Sequence, residues 1–384
     1  MSAESKKRSS QETWPAELGS PRTRADHDPR RDPVLLSAIA QVAPGTPLRD
    51  GIDDIIRAHE GALIVLGNPS ELAFLYSGGM ELDLPFKPQL LYELAKMDGA
   101  IIVTADVTKI AYANVQLMPD PTIASNETGT RHRTAERVAK QTGALVVSIS
   151  QQRETVTVFL GARRYQLEPI ADVLSKTNQA LATLETYRQR LDQVLTRLTA
   201  LEFQNAVVLD DVLVVLQRAE LTTRMAEEIE RACVELGAEG RLIRMQLEEL
   251  VGEVPREKGA VLYDYHAKGG QESTREGLEA LAGIPYTELL EFELLAVLGF
   301  PASMNPLDHS VSPRGYRVLS HIPRLSDALI RNVVDGFGNL EAIVRASQRD
   351  LEGIDGVGAV RAREIREGLR RLQEHNLVDR FLQL

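Results

Sequence analysis

Two short stretches carry the residues best suited to chemistry, Asp98-Gly99-Ala100 and Gly129-Thr130-Arg131-His132-Arg133-Thr134-Ala135. In the second, small turn-prone residues give way to two guanidinium groups and an imidazole, and helical character follows. Thr130 is placed as the N-cap, its hydroxyl accepting a bond from an otherwise unpaired backbone N–H. A helix start attracts anions, because free N–H groups and the positive end of the dipole point the same way. Arg131 and Arg133 at that mouth add forks that match phosphate oxygens. The plain alternative is an exposed basic first turn, which is locally unfavourable because cations oppose the dipole. Asp98 ends a helix and opens an apolar strand. A carboxylate there can hold a divalent cation or take a proton from a hydroxyl, although an Asp-Gly pair is also a common turn. Phosphate-binding cations with a metal-capable carboxylate are what nucleotidyl transfer needs. A ribose 3′-hydroxyl is a poor nucleophile and an α-phosphate is shielded by its own charge; a metal ion lowers both obstacles, and arginine stabilises the charge that moves onto pyrophosphate.

The elements that must position these groups lie between Gly61 and Gly161, where short apolar runs are bounded by Gly, Pro and Asn. Strands are expected at 62–66, 73–76, 100–103, 110–113, 145–149 and 155–159, with helices over 53–59 and 89–97. Strands and helices mix without strict alternation, which indicates an α/β domain around a mixed sheet. Neither a G-x-x-x-x-G-K-[ST] loop nor a strand-adjacent G-x-G-x-x-G is present, so P-loop and dinucleotide-fold readings have no support. From Pro169 the pattern becomes helical. Leu174, Leu181, Leu184, Leu191, Leu195 and Leu198 recur as on a long amphipathic helix, and 211–250 and 286–298 continue the helical signal. After 312 come short helices with tight turns, and Leu351–Arg363 has the h-G-h-G-x-x-x-A form of a helix-hairpin-helix. Gly356 and Gly358 make a turn that offers backbone N–H groups to a phosphate, and Ala362 permits close helix packing. Arg361, Arg363 and Arg366 add phosphate contacts without sequence information. Leu319–Leu325 reads as a first, degenerate copy lacking the glycines.

The fold class expected is therefore an α/β domain with a mixed β-sheet, an all-α helical spacer and a helix-hairpin-helix domain. The boundaries are 1–33 for a disordered extension rich in Ser, Arg, Pro and Asp, 34–168, 169–312 and 313–384. Composition narrows the function classes. A net charge of −11 argues against coating nucleic acid with the whole surface, yet residues 313–384 carry 12 Arg against 10 acidic groups, which permits DNA contact there. A single cysteine, Cys233, excludes a disulfide framework and a four-thiolate zinc site. With no long apolar run and no signal-peptide pattern at the start, no membrane partner is expected, and the location expected is cytoplasmic.

Asp98-Gly99-Ala100 together with Gly129–Ala135 resembles the paired motifs of the diadenylate cyclase domain. The order of domains resembles the bacterial DNA integrity scanning protein family, from about Pro33 to Leu384. The resemblance implies condensation of two ATP into cyclic di-3′,5′-AMP and two pyrophosphates with Mg²⁺ or Mn²⁺. It implies Asp98 as metal ligand and activator of the 3′-hydroxyl, and Gly99 as a point of close approach to the nucleotide. Arg131, His132 and Arg133 would clamp phosphates, with Arg131 and Arg133 catalytic; Thr130 and Thr134 would donate hydroxyl bonds, Leu117 would meet adenine and Ser150 would line the pocket. It further implies a homo-octamer with cyclase domains facing in pairs, and branched DNA such as Holliday junctions bound through Gly356, Gly358, Arg361 and Arg363. A nucleoid-associated location follows. The alternatives are a DNA-binding scaffold whose nucleotide domain only senses ATP or cyclic dinucleotide, and a nuclease or repair subunit, for which no acidic metal cluster is visible near the hairpin.

Overall fold

Continuous apolar runs with no polar alternation belong to strands covered on both faces, and the first domain is built that way. A computed structural model describes residues 28–290 and 293–382. Eight strands form one mixed sheet: β1 (Ala62–Leu66), β2 (Tyr76–Ser77), β3 (Met80–Pro85), β4 (Ala100–Val103), β5 (Lys109–Leu117), β6 (Leu145–Ser150), β7 (Thr155–Leu160) and β8 (Arg163–Gln166). The order is β2-β5-β4-β1-β6-β7-β8, with β3 also pairing β5. Only β1 and β4 run parallel; β1 pairs β6 antiparallel, with Ala62 opposite Ile149. Ile64, Ile101, Val147 and Val158 point to one face, covered by α1 (Pro33–Gln41), α2 (Pro47–Arg57) and, beyond α3 (Pro69–Leu72), by α4 (Pro88–Ala95). Val65, Ile102, Val146 and Phe159 point to the other, covered by α5 (Thr130–Thr142) through Ala135, Val138 and Ala139.

Several local expectations differ from this arrangement. The run 73–76 is a turn leading into the two-residue β2, because Asn68 caps α3 through Ser70 and takes the chain out of extended geometry. Strands β3 and β8 were not expected: Met80–Pro85 is largely exposed and Arg163–Gln166 polar, so neither shows an apolar run. The expected extension 1–33 falls mostly on residues outside those described, but Pro29–Arg31 forms a 3₁₀ turn. There Arg30 pairs with Asp28 at 2.9 Å and with Glu235 at 3.1 Å.

The spacer begins with α6 (Ile170–Gln204) and α7 (Leu209–Leu236), packed side by side. Leu181, Leu184, Leu191 and Leu198 of the leucine stripe are buried against α7 and its neighbours. At Gly237 the chain breaks helix geometry and passes through Gly237–Gly240 into α8 (Arg241–Val251). Then follow α9 (Val254–Tyr265), α10 (Gly270–Gly283) and α11 (Tyr286–Leu290). No helix among the described residues is long and apolar enough to cross a membrane.

The last domain holds α12 (Tyr316–Ser320), α13 (Asp327–Phe337), α14 (Leu340–Arg345), α15 (Gln348–Glu352) and α16 (Ala359–Leu382). It contains two helical hairpins, α12–α13 and α15–α16. Gly356 has φ +81°, and Arg324 at the corresponding position of the first hairpin has φ +68°. The first turn thus makes the same left-handed step without glycine, at a cost that a residue with a Cβ bears. Ser326 then caps α13, its side-chain oxygen accepting from the Leu329 N–H. Ala362 is fully buried in the shared core with Ile365 and Val357.

This domain docks on the spacer through buried polar groups. Asp264, at the end of α9, accepts the N–H groups of Gly315, Tyr316 and Arg317 at 2.9, 2.8 and 2.9 Å and so caps α12. Arg317, only 2% exposed, pairs with Glu202 of α6, bonds Thr199 at 2.7 Å and reaches Glu257 at 3.5 Å.

Candidate functional site

The parallel β1–β4 pairing and the antiparallel β1–β6 pairing bring four chain segments to one end of the sheet. They are the starts of β1 and β4 and the ends of β5 and β6. The N-terminus of α5 sits over the same end. Between them is a cavity of about 540 Å³ lined by Leu63, Gly99, Ala100, Val115, Gln116, Leu117, Gly129, Thr130, Arg131, His132, Thr134, Ser150, Gln151 and Gln152. That size suits one small ligand.

The β5 wall is shaped by a bulge. Register shifts where β5 pairs β4, and Asn114 takes φ +55°, a conformation asparagine tolerates better than most residues. The bulge turns Val115, Gln116 and Leu117 along the cavity. It is possible because Gly99, at φ +110°, has no Cβ; one built there would lie 2.9 Å from the Asn114 carbonyl carbon. The glycine of the Asp-Gly pair is therefore required by its own backbone and by the close passage of β5.

At the helix start, Gly129 is the N-cap in extended geometry and Thr130 is the first helical residue. This corrects the placement of Thr130 as N-cap. Among the described residues no side chain caps α5, so its first N–H groups stay open to a ligand's anion. Arg131 donates from Nη1 to the Ile149 carbonyl at 3.3 Å and lines the cavity. His132 stands edge-on to Phe159, with ring centres 6.4 Å apart. Burial lowers its pKa below the ordinary value of 6.5, so the ring is neutral at pH 7 and serves as a hydrogen-bonding group, not as a cation.

Arg133 is not among the lining residues, although Arg131 and Arg133 were expected to clamp phosphate together. Side chains two positions apart on a helix point to nearly opposite sides. Arg133 instead donates to the carbonyls of Glu127 at 3.3 Å and Thr128 at 3.1 Å. It is the first of a row on one flank of α5. Glu136 accepts from Ser125 at 2.5 Å and from the Asn126 N–H at 3.1 Å; Arg137 donates to Ile123 O and Lys140 to Ala124 O. The row holds the loop 120–129 that leads into the helix.

Asp98 is exposed at the turn between α4 and β4, one residue outside the lining. Gly99, Thr130, Arg131, His132 and Thr134 of the two motifs line the cavity, together with Leu117 and Ser150, which the resemblance implied. Leu63, Val115, Gln116, Gln151 and Gln152 also line it and were missed. Gln151 and Gln152 directly follow the apolar β6, the one signal that could have found them. No group of three or more His, Cys, Asp or Glu capable of holding a metal occurs among the described residues. A single carboxylate fits a hard divalent ion carried mainly by substrate phosphates and water, and not an all-protein cage.

In the last domain the four expected DNA contacts separate. Gly356 and Gly358 form the second hairpin turn, with the Gly358 carbonyl accepting from Ala362 N–H at 2.9 Å. Arg361 donates to the Arg324 carbonyl of the first hairpin at 2.9 Å. Arg363 lies in a groove with Arg366 and Arg370 on another face of α16.

Comparison with known proteins gives two family matches. The DisA bacterial checkpoint controller nucleotide-binding family matches residues 49–163, and the DisA bacterial checkpoint controller linker region matches 167–307. The chain is 51% identical over 346 residues to the DNA integrity scanning protein DisA of Carboxydothermus hydrogenoformans, covering 90% of this chain and 98% of that one. It is 46% identical over 356 residues to its counterpart in Frankia alni, covering 92% and 99%. The corresponding figures for Kineococcus radiotolerans are 48% over 353 residues, 91% and 98%.

Proposed function

The chain belongs to the DNA integrity scanning protein DisA family and is a diadenylate cyclase, a nucleotidyltransferase, and we propose that it condenses two ATP into cyclic di-3′,5′-AMP and two pyrophosphates in the cavity under α5. The observation that carries this reading is the meeting of an uncapped helix start, Arg131 and the Gly99 turn at one pocket, with Asp98 next to it. In each half-reaction the 3′-oxygen of one nucleotide bonds to the α-phosphorus of the other. The bond from that phosphorus to the bridging oxygen breaks, and pyrophosphate leaves with the electron pair. The open N–H groups of α5 and the Arg131 fork hold the phosphate charge as it moves outward. Thr130 and Thr134 supply hydroxyls, Leu117 gives the adenine an apolar wall, and Ser150 closes the far side. Asp98 accepts the hydroxyl proton and is the residue that would hold Mg²⁺ or Mn²⁺. When bound, that ion neutralises phosphate charge and acidifies the hydroxyl. Arg133 contributes by fixing the loop before α5.

One cavity has room for one nucleotide, and the product requires two reciprocal attacks, so two cyclase domains must face each other. Exposed Met118, next to Leu117, with exposed Phe74 before β2 and Met80 opposite Ala113 of β5, would supply apolar surface for that pairing. The spacers would then set a homo-octamer. The hairpin turns at Gly356 and Gly358 and the arginines of α16 would hold branched DNA such as a Holliday junction by its phosphates, and the protein would then act on the nucleoid.

The test is mass spectrometry of the products formed from ATP with Mn²⁺ or Mg²⁺, with pyrophosphate measured in parallel. Cyclic di-AMP with one pyrophosphate per ATP supports the reading. ATP left intact under both metals would leave a nucleotide-sensing DNA binder. Control by DNA has its own test. Removing residues 313–384 should leave condensation running but insensitive to four-way junction DNA, and inhibition that survives the deletion would place the coupling elsewhere. Junction binding by the full chain should weaken steeply as salt rises.

A further inference from the structure

We infer that Gly61 is a positioning residue for Arg131: the missing side chain at the entry to β1 is the space in which the guanidinium sits. Gly61 is buried between α2 and β1. Its backbone does not need glycine, since it is absent from the residues with positive φ. Gly99 is different, because there both φ and the neighbouring strand demand it. A Cβ built on Gly61 would lie 2.0 Å from Arg131 Nη1, 2.9 Å from Cζ and 3.2 Å from Nη2. The three nearest atoms therefore all belong to one guanidinium, and no backbone is as close.

The β1–β6 ladder ends at Ala62 and Ile149. Just past that end, the guanidinium lies with Gly61 on one side and the Ile149 carbonyl on the other, held among the described residues by a single 3.3 Å bond. One bond of that length does not fix a long side chain. The fit against Gly61 supplies the rest of the constraint and leaves the remaining donors of the fork for the ligand in the cavity. A methyl group at position 61 would push the flexible end of Arg131 out of this seat while leaving the fold alone. An arginine displaced by about 1 Å can cost up to about a hundredfold in function.

The inference rests on the nucleotide reading of the cavity, and a double-mutant cycle separates the two. Binding of 3′-deoxy-ATP, which lacks the attacking hydroxyl, is measured with Mn²⁺ for the full-length native chain, Gly61→Ala, Arg131→Ala and the double variant. Cyclic di-AMP formation and melting temperature are measured alongside. Gly61→Ala should weaken binding about tenfold or more in the native background, with an unchanged melting temperature. It should cause no further loss once Arg131 is alanine. Native affinity in Gly61→Ala overturns the inference, as does an equal loss in both backgrounds or an equal fall of melting temperature in both. A native chain that binds the analogue but makes no cyclic di-AMP would refute only the condensation reading.

Discussion

Asp98→Asn should reduce cyclic di-AMP formation by on the order of a thousandfold while leaving the melting temperature unchanged. Positioned acid–base groups contribute about 10²- to 10⁴-fold, and the amide also loses the charge that holds a divalent ion. Stability should not follow, because Asp98 is exposed at a turn and the close contacts there belong to Gly99 and Asn114. Nucleotide binding should persist through the α5 start and Arg131, so calorimetry with 3′-deoxy-ATP should give near-native affinity in the absence of metal. Mass spectrometry of the reaction products checks the first part and a thermal melt the second. Activity near the native level would remove Asp98 from the mechanism and direct attention to the glutamines at the end of β6.

The second large effect lies far from the cavity. Arg317→Met should destabilise the docking of residues 313–384 by about 3–5 kcal/mol, the usual cost of leaving one member of a buried ion pair alone. Glu202 is 3% exposed and would lose both of its bonds to the guanidinium, keeping only the Tyr265 hydroxyl at 2.9 Å. A separate, earlier unfolding transition for the last domain should appear in calorimetry, with faster proteolysis near Ser312. Adding Glu202→Gln should recover much of the loss, because no unpaired charge then stays buried. A single native-like transition in Arg317→Met would show that apolar contacts alone hold the domain.

The same interface should loosen as pH rises. His321 bonds Glu257 at 2.8 Å, and that carboxylate raises the imidazole above its ordinary pKa of 6.5. A raised histidine adds stability that is complete below 6.5 and is lost as pH climbs through its folded value. Asp264 acts in the same direction. Burial, with Glu202 close by, pushes it up to about 7 against the three amide bonds it accepts. Its folded form holds a proton more tightly than the unfolded form, so stability falls between the ordinary 3.8 and about 7. Docking should be tighter at pH 6 than at pH 8.5, and calorimetry at the two values reads the difference.

Because their signals are local, several features were legible along the chain. The Arg131–Arg133 stretch at a helix start, the Asp98-Gly99 turn, the leucine spacing of α6 and the two hairpin glycines each depend on residues a few positions apart. The weak strands β3 and β8 were not legible, because partners on β5 and β7 hold them in the sheet without an apolar run of their own. The bulge at Asn114 was hidden as well, since only the nearness of Gly99 makes room for it.

By itself the sequence determined the residue types and their chemistry: an anion-seeking helix start, one metal-capable carboxylate, an amphipathic helical spacer and a glycine-bearing hairpin. Only the tertiary structure decided which of them meet. Strand pairing carried Gly61, Gly99, Leu117 and Ser150 to the same end of the sheet from positions far apart in the chain. Helical phase sent Arg131 into the cavity and Arg133 to the loop beside it. Packing of α12 on α6 and α9 made Arg317, one arginine among the 12 of its domain, a buried partner of Glu202. Type and spacing are properties of neighbours in sequence, whereas burial and convergence come from the sum of distant contacts.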